Sequence, residues 1–157
     1  MPEQDVVLKT VEPLVGLATR DTVQGPEGIS AFMTDIWETI MGQGLQVAGP
    51  PITQYHDPDF NIDRVDISLT IPVMGSLDRV LETGAGRKIE KGSVPGGEVA
   101  TIVHVGAYET LHESYQALGK WFAEHDRVGE GPAQEIYLSD PNEPGPNITE
   151  IRMRVAK

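Results

Sequence analysis

Apolar and polar positions along this chain of 157 residues fall into short blocks, and each block predicts one element. Val6 to Val11 is rich in β-branched residues, which predicts a strand ended or kinked at Pro13, with Leu14 to Ala18 as a second extended run. Ile29, Phe32, Met33, Ile36, Trp37 and Ile40 then recur at helical spacing. That helix opens at Gly25-Pro26-Glu27, with proline at a first-turn position, and stops at Gly42 and Gly44. After Gly49-Pro50-Pro51, Ile52 to Tyr55 reads as extended. Val65, Ile67, Leu69 and Ile71 alternate with Asp66, Ser68 and Thr70, the pattern of a half-buried strand with one polar face.

The order repeats after a glycine-rich hairpin over residues 75–96, whose predicted strands are Val80 to Leu81 and Arg87 to Ile89. Val99 to Val105 predicts a strand. Thr110-Leu111-His112-Glu113 fits a capping box, and Leu111, Tyr115, Leu118 and Phe122 form the buried stripe of a second helix. Gln134 to Leu138 is extended, and Ile151, Met153 and Val155 alternate with Arg152 and Arg154 in a last strand. The punctuation repeats too: Gly25 opens one helical stretch and Gly106 the other, while Gly49-Pro50 and Gly131-Pro132 each lie six residues before a tyrosine, Tyr55 and Tyr137. The fold class predicted is α+β: two strand-helix-strand-strand modules, about 5–74 and 97–157, with antiparallel strands and a hairpin linker at 75–96. A duplicated unit too small to bury its own face packs against its twin, which makes the seam between modules the expected place for a ligand. The tryptophans break the repeat, since Trp37 and Trp121 are displaced by about one helical turn; both are read as core residues.

Composition narrows the function. A net charge of −12 disfavours phosphate-backbone binding, so no nucleic-acid partner is expected, and it mildly favours cationic ligands. There is no cysteine, which removes disulfides, thiolate chemistry and cysteine-ligated zinc. No signal peptide and no apolar run of membrane-spanning length is visible, so the expectation is a soluble cytoplasmic protein without a membrane partner. No metal and no cofactor is expected. His56, His104, His112 and His125 are scattered, His112-Glu113 lacks a second zinc-binding histidine, and Asp57 to Asn61 imitates a calcium loop without its glycine or bidentate glutamate.

One set of residues carries a resemblance: His104-Val105-Gly106-Ala107-Tyr108-Glu109, Trp121, and Gly131-Pro132 through Glu135-Ile136-Tyr137-Leu138-Ser139-Asp140-Pro141. With Gly25-Pro26-Glu27 and Tyr55-His56-Asp57-Pro58 in the first half, nearly the whole chain resembles the GyrI-like small-molecule-binding family. That family includes the effector-binding domains of multidrug-sensing transcription activators. Gly106-Ala107-Tyr108 departs slightly from the commoner Gly-Pro-Tyr. The resemblance implies modules related by a pseudo-twofold axis, a ligand groove between them, and Glu135 as the acidic residue that meets cationic or polar ligands. With no DNA-binding segment before residue 1, a stand-alone member is expected. Some stand-alone relatives hydrolyse strained electrophiles such as cyclopropanoid alkylators, and others only bind.

On a strand, Glu135 and Tyr137 share one face, and the repeat puts Thr53 and Tyr55 at the matching places of the first module. Facing modules would set Tyr55 and Tyr137 as aromatic walls about Glu135, with Tyr108 and Trp121 as further lining. A carboxylate so placed is poorly solvated, which pushes its pKa up. It then pairs with a lipophilic or cationic small molecule or, with Tyr137 beside it, serves as the general base of a hydrolase. Since Thr53 offers no second carboxylate, a glycosidase mechanism is not indicated. A strand glutamate also fits a solvated outer face, and the tyrosines also fit a core edge. A third role, inhibition of a basic protein partner such as a topoisomerase, has only the charge and the family's name-giving member behind it.

Overall fold

Alternation and helical spacing translate directly into elements. The computed structural model describes residues 5–57, 61–75, 78–107, 110–139 and 144–156. Among them run β1 (Val7–Val11), β2 (Leu14–Val23), α1 (Gly25–Gly42), β3 (Ile52–Tyr55), β4 (Val65–Ile71) and β5 (Leu81–Glu82), then β6 (Lys88–Val94), β7 (Gly97–Val105), α2 (Leu111–Glu124), β8 (Gly129–Tyr137) and β9 (Ile148–Val155). The chain divides into two units, one of Pro13–Pro95 and one that joins Met1–Glu12 to Gly96–Lys157. All described strand pairs are antiparallel, and with two helices this is an α+β fold.

In the Pro13–Pro95 unit the strand order is β3-β4-β2-β6-β5. Helix α1 starts at Gly25, whose φ of +73° makes a turn that suits glycine, with proline in the first turn. It buries Phe32, Ile36 and Ile40 against Leu17, Val23, Val65, Ile67, Leu69 and Ile71. Trp37, expected in the core, is 40% exposed. It follows Ile36 by one residue, and about 100° of helical rotation carries it off the apolar stripe. The unit is also tied by charge. Arg87 donates to Asp21 at 2.8 Å and to Asp35 at 2.7 Å, and its guanidinium lies 5.2 Å from the centre of the Phe32 ring. Burial alone would push Asp35 up, but hydrogen bonds from Thr83 and Arg87 outweigh that and hold its carboxyl below the usual range.

In the other unit the order is β1-β7-β9-β8. Leu118 and Phe122 of α2 pack on Ala100, Ile102, Ile151 and Val155. On the sheet's other face Glu150 accepts hydrogen bonds from Thr101 and Arg152, both at 2.8 Å, and pairs with Lys9 at 3.0 Å, which links β1 to the strands beside it.

Several expectations shift. β1 was expected to open the first module, but it pairs with β7, Val7 opposite Thr101. The 75–96 hairpin is more than a linker, because β6 pairs with β2 along Leu14 to Ala18. Thr110 does not cap α2: its hydroxyl donates to the Ala107 carbonyl at 2.8 Å and meets His104 Nε2 at 3.0 Å. The helix accordingly begins at Leu111, five residues beyond Gly106. Gly131 and Pro132 lie within β8, where the register shifts between Glu130 and Gln134. The polar face of β4 is also covered, with Ser68 and Thr70 only 8% and 3% exposed.

Candidate functional site

Antiparallel register decides which side chains share a face. In the unit that contains β8, Glu135 stands opposite Ile151 and Tyr137 opposite Thr149, so both point to the side of the sheet on which α2 packs. The sequence-based pairing of Glu135 with Tyr137 on one face therefore holds. The solvated outer-face alternative does not, because Glu135 is 5% exposed. Two phenols meet the buried carboxylate: Tyr115 Oη donates to Oε2 at 2.5 Å and Tyr137 Oη to Oε1 at 3.1 Å. Donors on both oxygens supply hydrogen bonds to a carboxyl group that burial takes out of water.

Tyr115 is the residue whose role sequence reasoning missed. It packs against the core as its place in the helix stripe predicts, but it is half-buried and its hydroxyl goes to Glu135. The internal repeat held the signal. The strand pairs Thr53–Leu69 and Glu135–Ile151 match at a constant offset, 135 − 53 and 151 − 69 both being 82. The helix stripe keeps it too, Phe32, Ile36 and Ile40 against Ser114, Leu118 and Phe122. At that offset Tyr115 corresponds to Met33. Thr53, the counterpart of Glu135, donates to Met33 Sδ at 3.9 Å. One helix–strand contact is thus neutral in one unit and a phenol–carboxylate pair in the other.

Beside the trio lies a second polar set. His104 faces Thr149 across β7 and β9, and its Nδ1 meets the Ser114 hydroxyl at 2.9 Å. Ser114 is fully buried, so this pair pins the start of α2 and offers no accessible nucleophile.

The other expected site residues are placed as follows. Trp121 lies six residues beyond Tyr115 on α2, roughly two-thirds of a turn around. Its ring is half-buried, edge-on to Phe122 at 5.1 Å and stacked on His125 at 4.5 Å, in ring contacts outside the Glu135 trio. Tyr55 belongs to the Pro13–Pro95 unit, half-buried opposite Ile67 and packed against that unit's core. Tyr108 and the Asp140-Pro141 end of the motif lie outside the described residues. Among the described residues no group of histidine, aspartate and glutamate side chains is arranged to hold a metal ion, and no helix is long and apolar enough to cross a membrane.

The comparisons with known proteins agree with this fold. The profile of the GyrI-like small molecule binding domain matches residues 4–156. The C-terminal domain of EcmrR superposes with a TM-score of 0.82 at 19% identity, over 98% of both chains. The chain spans 58% of the EcmrR chain in that protein's DNA complex. A Listeria innocua protein described as a hydrolase gives a TM-score of 0.63 at 13% identity, over 99% of this chain and 94% of that one. SAV2435 bound to tetraphenylphosphonium gives 0.56 at 13%, over 97% and 94%. At such identities these likenesses show the fold alone. No functionally curated protein matches the sequence.

Proposed function

Because the chain belongs to the GyrI-like small molecule binding domain family, matched over residues 4–156, we propose that its ligands are lipophilic compounds bearing a positive charge or an electrophilic centre, anchored by Glu135. The observation that carries this reading is the buried Glu135 carboxylate held by Tyr115 and Tyr137. A negative charge kept out of water is worth most to a ligand that brings the opposite charge into the same low-dielectric place. The tyrosine rings supply faces that attract cations and stack on flat lipophiles. The net charge of −12 raises the local concentration of cations. SAV2435, which shares the fold, is described with tetraphenylphosphonium, a lipophilic cation, and that compound is the natural first probe.

Titration calorimetry with tetraphenylphosphonium tests the proposal. Glu135→Gln keeps the shape and removes the charge, and it is expected to weaken binding by at least about tenfold, or roughly 1.4 kcal/mol. Tyr115→Phe and Tyr137→Phe, which each remove one donor, should weaken it by less. An unchanged dissociation constant in Glu135→Gln sinks the anchor assignment. Tyr55→Ala and Trp121→Ala are companion variants, and full affinity in either removes that residue from the lining.

A second reading uses the same trio for hydrolysis of a strained electrophile of the cyclopropanoid type. Glu135 would take a proton from water as its oxygen bonds to the ring carbon. The carbon–carbon bond would break toward a conjugated carbonyl, which a tyrosine hydroxyl would protonate. The arrangement favouring it is a proton acceptor and two O–H donors on one carboxylate. Water-added product that disappears in Glu135→Gln while binding persists would establish catalysis; binding of electrophiles without turnover would dismiss it.

A further inference from the structure

The buried His104–Ser114 pair has no part in the Glu135 reading, and register shows what it can do there. His104, Thr149 and Tyr137 form one row across β7, β9 and β8, on the side where α2 packs. Ser114 and Tyr115 are neighbours near the start of α2, and about 100° of helical rotation between them sends their side chains to opposite flanks of β9. Ser114 Oγ meets His104 Nδ1 on β7 at 2.9 Å, while Tyr115 Oη donates to Glu135 on β8 at 2.5 Å. His104 is also held from its other edge, where Nε2 lies 3.0 Å from the Ala107 carbonyl. A carbonyl only accepts, so Nε2 carries the proton and, in the neutral ring, Nδ1 accepts from the Ser114 hydroxyl. With His104 3% exposed and Ser114 fully buried, this latch is shut off from water.

The other unit shows that the fold alone does not call for such a latch. At the places of Ser114 and Tyr115 it carries Phe32 and Met33, and Phe32 is fully buried in an apolar core. There the strand position of Glu135 is held by Thr53, and apolar packing fastens the helix well enough. A buried polar pair in place of an aromatic ring gains little stability, because desolvation takes back most of what the hydrogen bond returns. What it adds is direction, since a hydrogen bond fixes distance and angle where apolar contacts tolerate sliding. Direction is what Tyr115 requires: its O–H holds a carboxylate oxygen only within about 3 Å and weakens steeply off line.

We propose that His104 and Ser114 are positioning residues. Their hydrogen bond sets the start of α2 so that the Tyr115 hydroxyl stays on Glu135, and they tune ligand affinity through that phenol without touching the ligand. For affinity this rests on the reading of Glu135 as the anchor; the placing of the phenol stands apart from it.

The test uses the full chain, isotope-labelled at tyrosine Cζ so that NMR reads the hydrogen bond of each phenol. Tyr115→Phe identifies which of the four tyrosine signals belongs to Tyr115. Ser114→Ala and His104→Leu, which each remove the latch, should shift that signal in the ligand-free protein. They should also weaken tetraphenylphosphonium binding about threefold, less than Glu135→Gln does. His104→Asn, whose amide reaches the Nδ1 place, should restore both readouts. In a Tyr115→Phe background Ser114→Ala and His104→Leu should weaken binding no further, because residues that act through the phenol then have nothing to act on. Three outcomes overturn the proposal: a Tyr115 signal unmoved by both Ser114→Ala and His104→Leu, an equal loss of affinity in the Tyr115→Phe background, or His104→Asn no nearer to wild type than His104→Leu. A wild type that does not bind the probe would sink the anchor reading, and the Tyr115 signal would still decide whether the latch places the phenol.

Discussion

Replacing Phe32 with alanine is expected to lower the free energy of unfolding by about 3–5 kcal/mol, the usual range for truncating a buried aromatic ring. The readout is a fall in the urea midpoint at unchanged slope. Phe32 is fully buried and is the largest side chain in the stripe that α1 lays on the sheet. Its ring also lies under the Arg87 guanidinium, which is held by Asp21 and Asp35, so the cavity would undercut that network as well. Phe32→Leu, which keeps most of the volume, should cost markedly less. The repeat supplies an internal comparison. Ser114 occupies the matching place in the other unit and gives its hydroxyl to His104. Ser114→Ala opens little volume but leaves a ring nitrogen short of a partner, for which about 1–3 kcal/mol is expected. If Phe32→Ala cost no more than Ser114→Ala, the account of α1 as the organiser of its unit's core would be wrong.

Those two residues also show what a sequence can reveal. The stripe through Phe32, Ile36 and Ile40 was legible because helical spacing is a local signal, and so was the alternation that set Glu135 and Tyr137 on one face. What failed was non-local. Nothing in Val7 to Val11 says which strand it will lie beside, and it joins β7 across some ninety residues of chain. The polar face of β4 was legible as polar, but alternation reports which residues share a face and not whether that face meets water. Ser68 and Thr70 therefore came as buried residues where the polar face of a half-buried strand was expected. Thr110 fits a capping box by spacing, yet its hydroxyl goes to His104 and Ala107. Tyr115 was visible only in combination, since helical spacing reads an aromatic on an apolar stripe as core. Only the constant offset of 82, by which 135 follows 53 and 115 follows 33, puts it beside the strand position that carries a glutamate in one unit and a threonine in the other.

Acid should loosen the unit that contains Glu150 in a defined window. Burial by itself would push this carboxyl up, but hydrogen bonds from Arg152, Lys9 and Thr101 outweigh it and hold the group at about 2, against an ordinary 4.5. A carboxylate whose folded value is depressed contributes stability that is fully present above the unfolded value and is lost as pH falls toward the folded one. The loss attributable to Glu150 should therefore begin near pH 4.5 and be complete near pH 2. The full shift corresponds to about 3 kcal/mol. Because the Lys9 side chain is 40% exposed, and its share of the attraction is screened by solvent, roughly half of that is expected, ~1.5 kcal/mol. Glu150→Gln isolates the effect. Urea unfolding of wild type and variant from pH 7 to pH 2 should give a stability difference that is flat above about pH 5 and shrinks steadily below it. Salt should reduce the difference at pH 7 by weakening the Lys9 pair more than the less exposed Arg152 hydrogen bonds. A difference that stayed constant down to pH 2 would mean that Glu150 holds its strands together by shape and hydrogen bonding alone, without its charge.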